Sequence, residues 1–201
     1  MADGLSRALD YRTLHVCVDM QRIFSAQGIW PTPWMDRVLP IVTALAERHP
    51  ERTIFSRFIT PERADQMPGT WRLYYEKWRA ATGEHVDPAM LELMPGLARL
   101  VPPAQVIDKM RYSAFFESAL LSTLIQRKID SLIITGSETD VCVAATVIDA
   151  VDLGFRVILV RDAVCSSSDE GHDAALKVYH RRFSEQIETA DCETVLAAWD
   201  K

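Results

Sequence analysis

Short runs of apolar and β-branched residues recur along the chain: Thr13 to Val18, Thr53 to Phe58, Gln105 to Asp108, Ser131 to Thr135, Arg156 to Val160 and a weaker run from Ser184 to Thr189. Each predicts a strand. Between them, apolar residues return at helical spacing, as Val38, Ile41, Val42 and Leu45, then Leu120, Leu121, Leu124 and Ile125, then Val143, Val147, Ala150 and Val151. Leu132-Ile133-Ile134 and Val157-Ile158-Leu159-Val160 are apolar at consecutive positions, so those strands are buried on both faces, with helices above and below a parallel sheet. The fold class expected is therefore α/β, a three-layer α/β/α sandwich around a doubly wound sheet. In such sheets ligands bind beyond the carboxyl ends of the strands, and the residues just after each strand are the ones to inspect.

The stretch from about 60 to 94 breaks the alternation, being rich in Trp, Tyr, Arg, Pro and Met and much longer than the usual α/β connection of about 2–6 residues. It reads as a lid-like insertion in a single domain spanning 1–201. Trp71, Tyr74, Tyr75 and Trp78 follow i, i+3, i+4, i+7 spacing. That stripe suits packed core or a subunit contact, and alternatively a wall facing substrate.

Composition narrows the function classes. With 48% hydrophobic and 25% charged residues the chain has the make-up of a globular domain rather than a disordered one. A formal net charge of -6 lacks the basic footprint that nucleic acid requires. No run of about 20 apolar residues offers a membrane span, and the polar start from Met1 to Asp10 has no apolar core of a signal peptide. A cytoplasmic protein without nucleic-acid or membrane partners is expected. The four cysteines, Cys17, Cys142, Cys165 and Cys192, form no C-x-x-C pair, so each is a small buried hydrophobe unless its surroundings activate it.

Three strand ends carry chemistry: Asp19, Lys109 and Cys142. Gly136-Ser137-Glu138-Thr139-Asp140-Val141-Cys142 leads from a buried strand through a turn into a helix beginning near Val141. At a helix N-terminus, free N–H groups and the macrodipole favour a thiolate, and a neighbouring Lys109 would favour it further. Position alone leaves a second reading open, in which Asp140 caps the helix and Cys142 only fills space.

Val16-Cys17-Val18-Asp19-Met20-Gln21, Asp108-Lys109-Met110-Arg111-Tyr112-Ser113-Ala114-Phe115 and Gly136-Ser137-Glu138-Thr139-Asp140-Val141-Cys142-Val143 resemble, in order, three signature segments of the isochorismatase-like cysteine hydrolase superfamily. Ala150-Val151-Asp152-Leu153-Gly154 and Arg161-Asp162-Ala163-Val164 extend the similarity, which runs from Leu14 to about Trp199. The resemblance implies a six-stranded, mainly parallel sheet and a triad with Asp19 as general base, Lys109 as its lysine and Cys142 as nucleophile. It also implies a cis peptide at Ser137-Glu138, an oxyanion hole of the Glu138 and Cys142 backbone N–H groups, and a homodimer or homotetramer.

The expected activity is cleavage of a C–N bond, amide or carbamoyl, in a small molecule through a thioester, with no cofactor. Two alternatives stand beside it: vinyl-ether hydrolysis with Asp19 as acid, and a non-catalytic binding relative. Nicotinamidases of the superfamily carry an Asp-x-His pair and a further His near the second strand. Here that region reads Ser56-Arg57-Phe58-Ile59-Thr60, and His49 and His85 are isolated, so no metal is expected. Phe24, Trp30, Arg57, Trp71, Tyr112, Phe115 and Val141 are candidate substrate contacts from the loops after the strands. Of these, Phe24 and Phe115 suit an apolar wall or core, and Arg57 suits either a substrate carboxylate or a structural ion pair.

Overall fold

The computed structural model describes residues 5–199. In chain order its elements are β1 (Thr13–Val18), α1 (Met35–Arg48), β2 (Thr53–Phe58), α2 (Thr70–Lys77), α3 (Pro95–Ala98), β3 (Gln105–Lys109), α4 (Leu120–Gln126), β4 (Ser131–Ser137), α5 (Cys142–Asp152), β5 (Arg156–Cys165), α6 (Asp169–Arg182), β6 (Ile187–Ala190) and α7 (Cys192–Trp199). The six strands form one parallel sheet in the order β3-β2-β1-β4-β5-β6. The chain builds outward from β1 through β2 to β3, then returns to lay β4 on the other side of β1. The crevice above the β1 and β4 ends is thus the switch point at which doubly wound sheets bind ligands.

Consecutive apolar residues serve opposite faces, as the strand period of two requires. Leu14, Val16 and Val18 join Ile54, Leu132, Ile134, Val157 and Leu159 in a core closed by α4, α5 and α6 through Leu120, Leu124, Val143, Val147 and Tyr179. Cys17, Phe55, Ile133, Ile158 and Val160 face α1 and α7, meeting Val38, Val42, Leu45, Val195 and Trp199. This second face also holds His15, fully buried, with Nε2 2.8 Å from Thr135 Oγ1 and Nδ1 3.4 Å from Thr53 Oγ1.

The strand expectations need extension in several places. Lys109 is the last residue of β3 rather than the one after it, β4 runs on to Ser137, and β5 continues to Cys165. The register of β4 on β5 shifts between Ile134, opposite Leu159, and Gly136, opposite Val164, so β5 bulges there and carries Arg161 outward. The last strand is Ile187–Ala190, shorter and later than the pattern suggested. Helix α6 was not anticipated because it buries only Tyr179 along its length. Its marks lie at its ends: Ser168 Oγ accepts the Gly171 N–H, acids occupy the first turn, and His180, Arg181 and Arg182 occupy the last, matching the helix dipole.

Within 60–94 lie α2 and short 3-10 turns at Ala64–Gln66, Arg79–Ala81 and Pro88–Leu91. The aromatic stripe packs inward. Tyr75 is fully buried, Tyr74 meets Trp30 at 6.1 Å between ring centroids, and Trp78 meets Trp30 at 5.9 Å. Trp71, at the start of the stripe, turns toward Tyr112 at 4.8 Å.

Candidate active site

The register of the sheet brings the three chemical groups together. Val18 pairs with Ser56 and Gly136, and Phe58 pairs with Lys109, so Asp19, the β2 end and the β3 end lie side by side. Lys109 must reach across the whole of β2 to meet Asp19, about two strand spacings or roughly 9.6 Å of sheet. Its long side chain carries Nζ over the Phe58 ring, 5.0 Å from the ring centroid. Its Nζ ends 2.6 Å from Asp19 Oδ2, and both side chains are fully buried. A second hydrogen bond runs from Lys109 Nζ to the Arg111 carbonyl at 2.9 Å.

Ser56 holds the other carboxylate oxygen. Its hydroxyl donates to Asp19 Oδ1 at 2.6 Å, and its main-chain carbonyl accepts the Asp19 N–H at 3.2 Å. Asp19 itself takes a left-handed backbone, φ 52°, which turns its carboxylate in over the sheet. Beyond it, Gln21 bridges to β2 by accepting the Phe58 N–H at 2.6 Å and donating to the Phe58 and Leu91 carbonyls.

The cysteine comes from the other side of the crevice. Gly136 has φ 117°, and a Cβ there would stand 2.0 Å from the Val18 carbonyl oxygen, so glycine is required for β4 to approach β1. After it the Ser137–Glu138 peptide is cis. The Glu138 carbonyl accepts the N–H groups of Val141 and Val143, and the Thr139 N–H bonds the Cys165 carbonyl, which together shape the turn. Cys142 is the first residue of α5, with Val141 as its N-cap and no side-chain cap. Asp140 is therefore not the cap of α5; it accepts the Ser166 hydroxyl at the mouth of α6 instead.

The Cys142 thiol lies close enough to the Asp19–Lys109 pair for both charges to act on it, which brings the three groups together. The expectation of a thiol lowered toward the thiolate is corrected. Burial pushes the Cys142 thiol well up, and the nearby Lys109 charge offsets only part of that, while Asp19 adds to it. For Lys109, burial favours the neutral amine, but Asp19 and Cys142 reverse this and hold the ammonium above its usual range. The resting site is thus a protonated thiol beside a buried Asp–Lys ion pair. Cys142 as a residue is buried, at 5% exposure.

The remaining candidates divide. Tyr112 and Trp71 meet at a tilt, and burial raises the Tyr112 phenol. Val141, the residue before Cys142, lines an open cleft of about 720 Å³ together with Trp71, Tyr112 and Phe116. Phe24 is buried against Trp30 and Phe58, in the wall behind Lys109. Phe115 stacks on Phe155 at 6.0 Å and packs into the α5-side core, away from the cleft. Arg57 is engaged structurally: it faces Asp108 across the β2–β3 ladder, bonds it in bidentate fashion at 2.8 and 3.0 Å, and holds Glu92 at 2.9 Å. Ser56 and Gln21 went unnoticed in the sequence. The available signal was a polar side chain at the end of an otherwise apolar strand. Among the described residues, no group of three or more His, Cys, Asp or Glu could hold a metal ion, and no helix is long and apolar enough to cross a membrane.

Comparison with known proteins fits this geometry. A family model described as isochorismatase domain matches residues 13–191. An uncharacterised isochorismatase family protein of Bacillus subtilis (strain 168), PncA, is 37% identical over 86 residues, 43% of this chain and 47% of that protein. A second from the same strain, YwoC, is 26% identical over 186 residues, covering 90% of this chain and 92% of the relative. The maleamate amidohydrolase of Pseudomonas putida is 30% identical over 86 residues, 43% of this chain and 40% of that enzyme. The match thus spans less than half the length of the first and third of these relatives. The crystal structure of a cysteine hydrolase from Pseudomonas syringae pv. phaseolicola shares the fold, with a TM-score of 0.81 and 23% identity over 98% of this chain and 99% of that one. With the family model spanning nearly all of the sheet and both sides of the crevice, the chain belongs to the isochorismatase domain family of hydrolases.

Proposed function

We propose that this protein cleaves the C–N bond of a small amide or carbamoyl compound through a thioester on Cys142. The observation that carries this reading is the buried Asp19–Lys109 ion pair with the Cys142 thiol close enough to feel both charges. Asp19 takes the thiol proton as the sulfur attacks the carbonyl carbon. The carbonyl electron pair moves to oxygen, where the N–H groups of Glu138 and Cys142 are the candidate donors. Removing one such donor typically costs about 2.7–4 kcal/mol of barrier. When the oxyanion collapses, the C–N bond breaks and Asp19 passes its proton to the departing nitrogen.

Water then gives a proton to Asp19 and attacks the thioester. The sulfur leaves with that proton, so one amide and one water become one acid and one amine. Lys109 stays protonated throughout and compensates the buried carboxylate. A raised thiol suits this sequence, because proton and sulfur move together only when substrate arrives. The maleamate amidohydrolase match favours an amide over the vinyl ether that would need no sulfur.

The test is a panel of small amides, ureas and carbamoyl compounds read by amine or ammonia release. Cys142→Ala should abolish turnover, and acid quenching of the wild type should trap an acyl adduct on the peptide containing Cys142. Full activity in the alanine variant would end the covalent reading and turn attention to Asp19 as an acid alone.

A further inference from the structure

Two residues beyond the lysine stands a cation that the chemistry above leaves unused. Arg111 lines the cleft that Trp71 and Tyr112 share with Val141, the residue before the cysteine. Its side chain is only 17% exposed. The guanidinium carbon lies 5.3 Å from the Trp71 ring centroid and 5.8 Å from that of Phe116, so two aromatic rings hold the fork. Nη1 donates to the Met110 carbonyl at 3.0 Å.

The acid that Arg111 meets among the described residues is Glu117, at 3.9 Å and itself mostly exposed. The forks of Arg57 and Arg156, by contrast, are filled by carboxylates at 3.0 Å or less. Asp140, on the same cleft, is committed to Ser166. Asp149 also lines the cleft, about 10 Å along α5 from Cys142. Most of the remaining lining is apolar, including Ala144 and Ile148. A partly desolvated guanidinium with donors to spare is suited to a planar acceptor with two oxygens.

We infer that Arg111 selects substrates that carry a carboxylate in addition to the scissile C–N bond. The inference rests on the proposed hydrolase reading and adds a substrate class to it. The Arg111 carbonyl accepts the Lys109 ammonium, so the backbone below the fork is tied to the triad. An anionic group held by Arg111 would therefore rest on a segment anchored to the Asp19–Lys109 pair.

Succinamate, which has one amide and one carboxylate, and its neutral counterpart succinamide provide the test. In the wild type, kcat/KM for succinamate should exceed that for succinamide by about 10- to 100-fold. Arg111→Lys should keep part of that preference as a point charge, and Arg111→Met should bring the ratio near unity. An unchanged ratio in Arg111→Met would overturn the assignment. Calorimetric binding of succinate to Cys142→Ala protein, with and without Arg111→Met, reads the same contact without turnover. Binding that vanishes with Arg111 upholds the assignment even where neither amide is cleaved, in which case the hydrolase reading alone has failed. Binding that survives Arg111→Met overturns it.

Discussion

Asp19 and Lys109 lie fully buried, and neither charge would persist there alone, because removing a charge from water costs several kcal/mol unless a partner compensates it. Lys109→Met should therefore destabilise the fold by about 3–5 kcal/mol by stranding the carboxylate. The double variant Asp19→Asn with Lys109→Met should regain part of that loss while remaining inactive. Urea unfolding of the two proteins decides it: a double variant no more stable than the single one would mean that the pair is not coupled in the way its 2.6 Å contact implies. That Asp19, Lys109 and Cys142 would meet was legible in the sequence, because each lies at or soon after a strand end inside a recognisable run. The state of the sulfur was not. Helix N-terminus and lysine both argue for a thiolate, and burial, which overrides them, depends on α2 and the 111–116 loop folding over from elsewhere.

At the level of elements, the crevice depends on how closely β4 can approach β1. Gly136→Ala places a methyl against the Val18 carbonyl and demands a φ of 117° from a residue with a Cβ. A loss of about 3 kcal/mol or more is expected, read as a lower urea midpoint, together with loss of turnover as the 138–142 turn shifts. Near-normal stability would show that the two strands can separate without cost. Six strands and three helices declared themselves through apolar runs and periodicity, the last strand only weakly. Helix α6 did not, because it shields the sheet edge with few apolar contacts, and a helix mostly in water has little reason to be amphipathic. Arg57 was equally undecidable from the sequence: its pairing with Asp108 follows from a β2–β3 register that only the folded sheet defines. Phe115 likewise faces the α5 core because the Ala114 N–H is tied to Thr146 on that helix.

Across the whole molecule, one buried base ties stability to pH. Burial between Thr53 and Thr135 lowers the His15 imidazole from 6.5 to about 3. Its neutral form therefore contributes stability that is complete above about pH 6.5, where the unfolded chain is also neutral. Below that value the unfolded state binds a proton that the folded state refuses, and stability falls by about 1.4 kcal/mol per pH unit down to the folded value near 3. Between pH 7 and pH 5 the loss from this residue should be about 2 kcal/mol, and His15→Asn should flatten that slope. Parallel profiles for the two proteins would count against a neutral imidazole in the core. The strand order has its own consequence for how the molecule comes into being. Because β1 is flanked by β2 on one side and by β4, more than a hundred residues downstream, on the other, the N-terminal part emerging from a ribosome can form its carboxylate–ammonium contact yet has no sulfur to arm. Under the proposed reading, turnover therefore has to wait for the returning strand to dock, and a chain cut before β4 should show none.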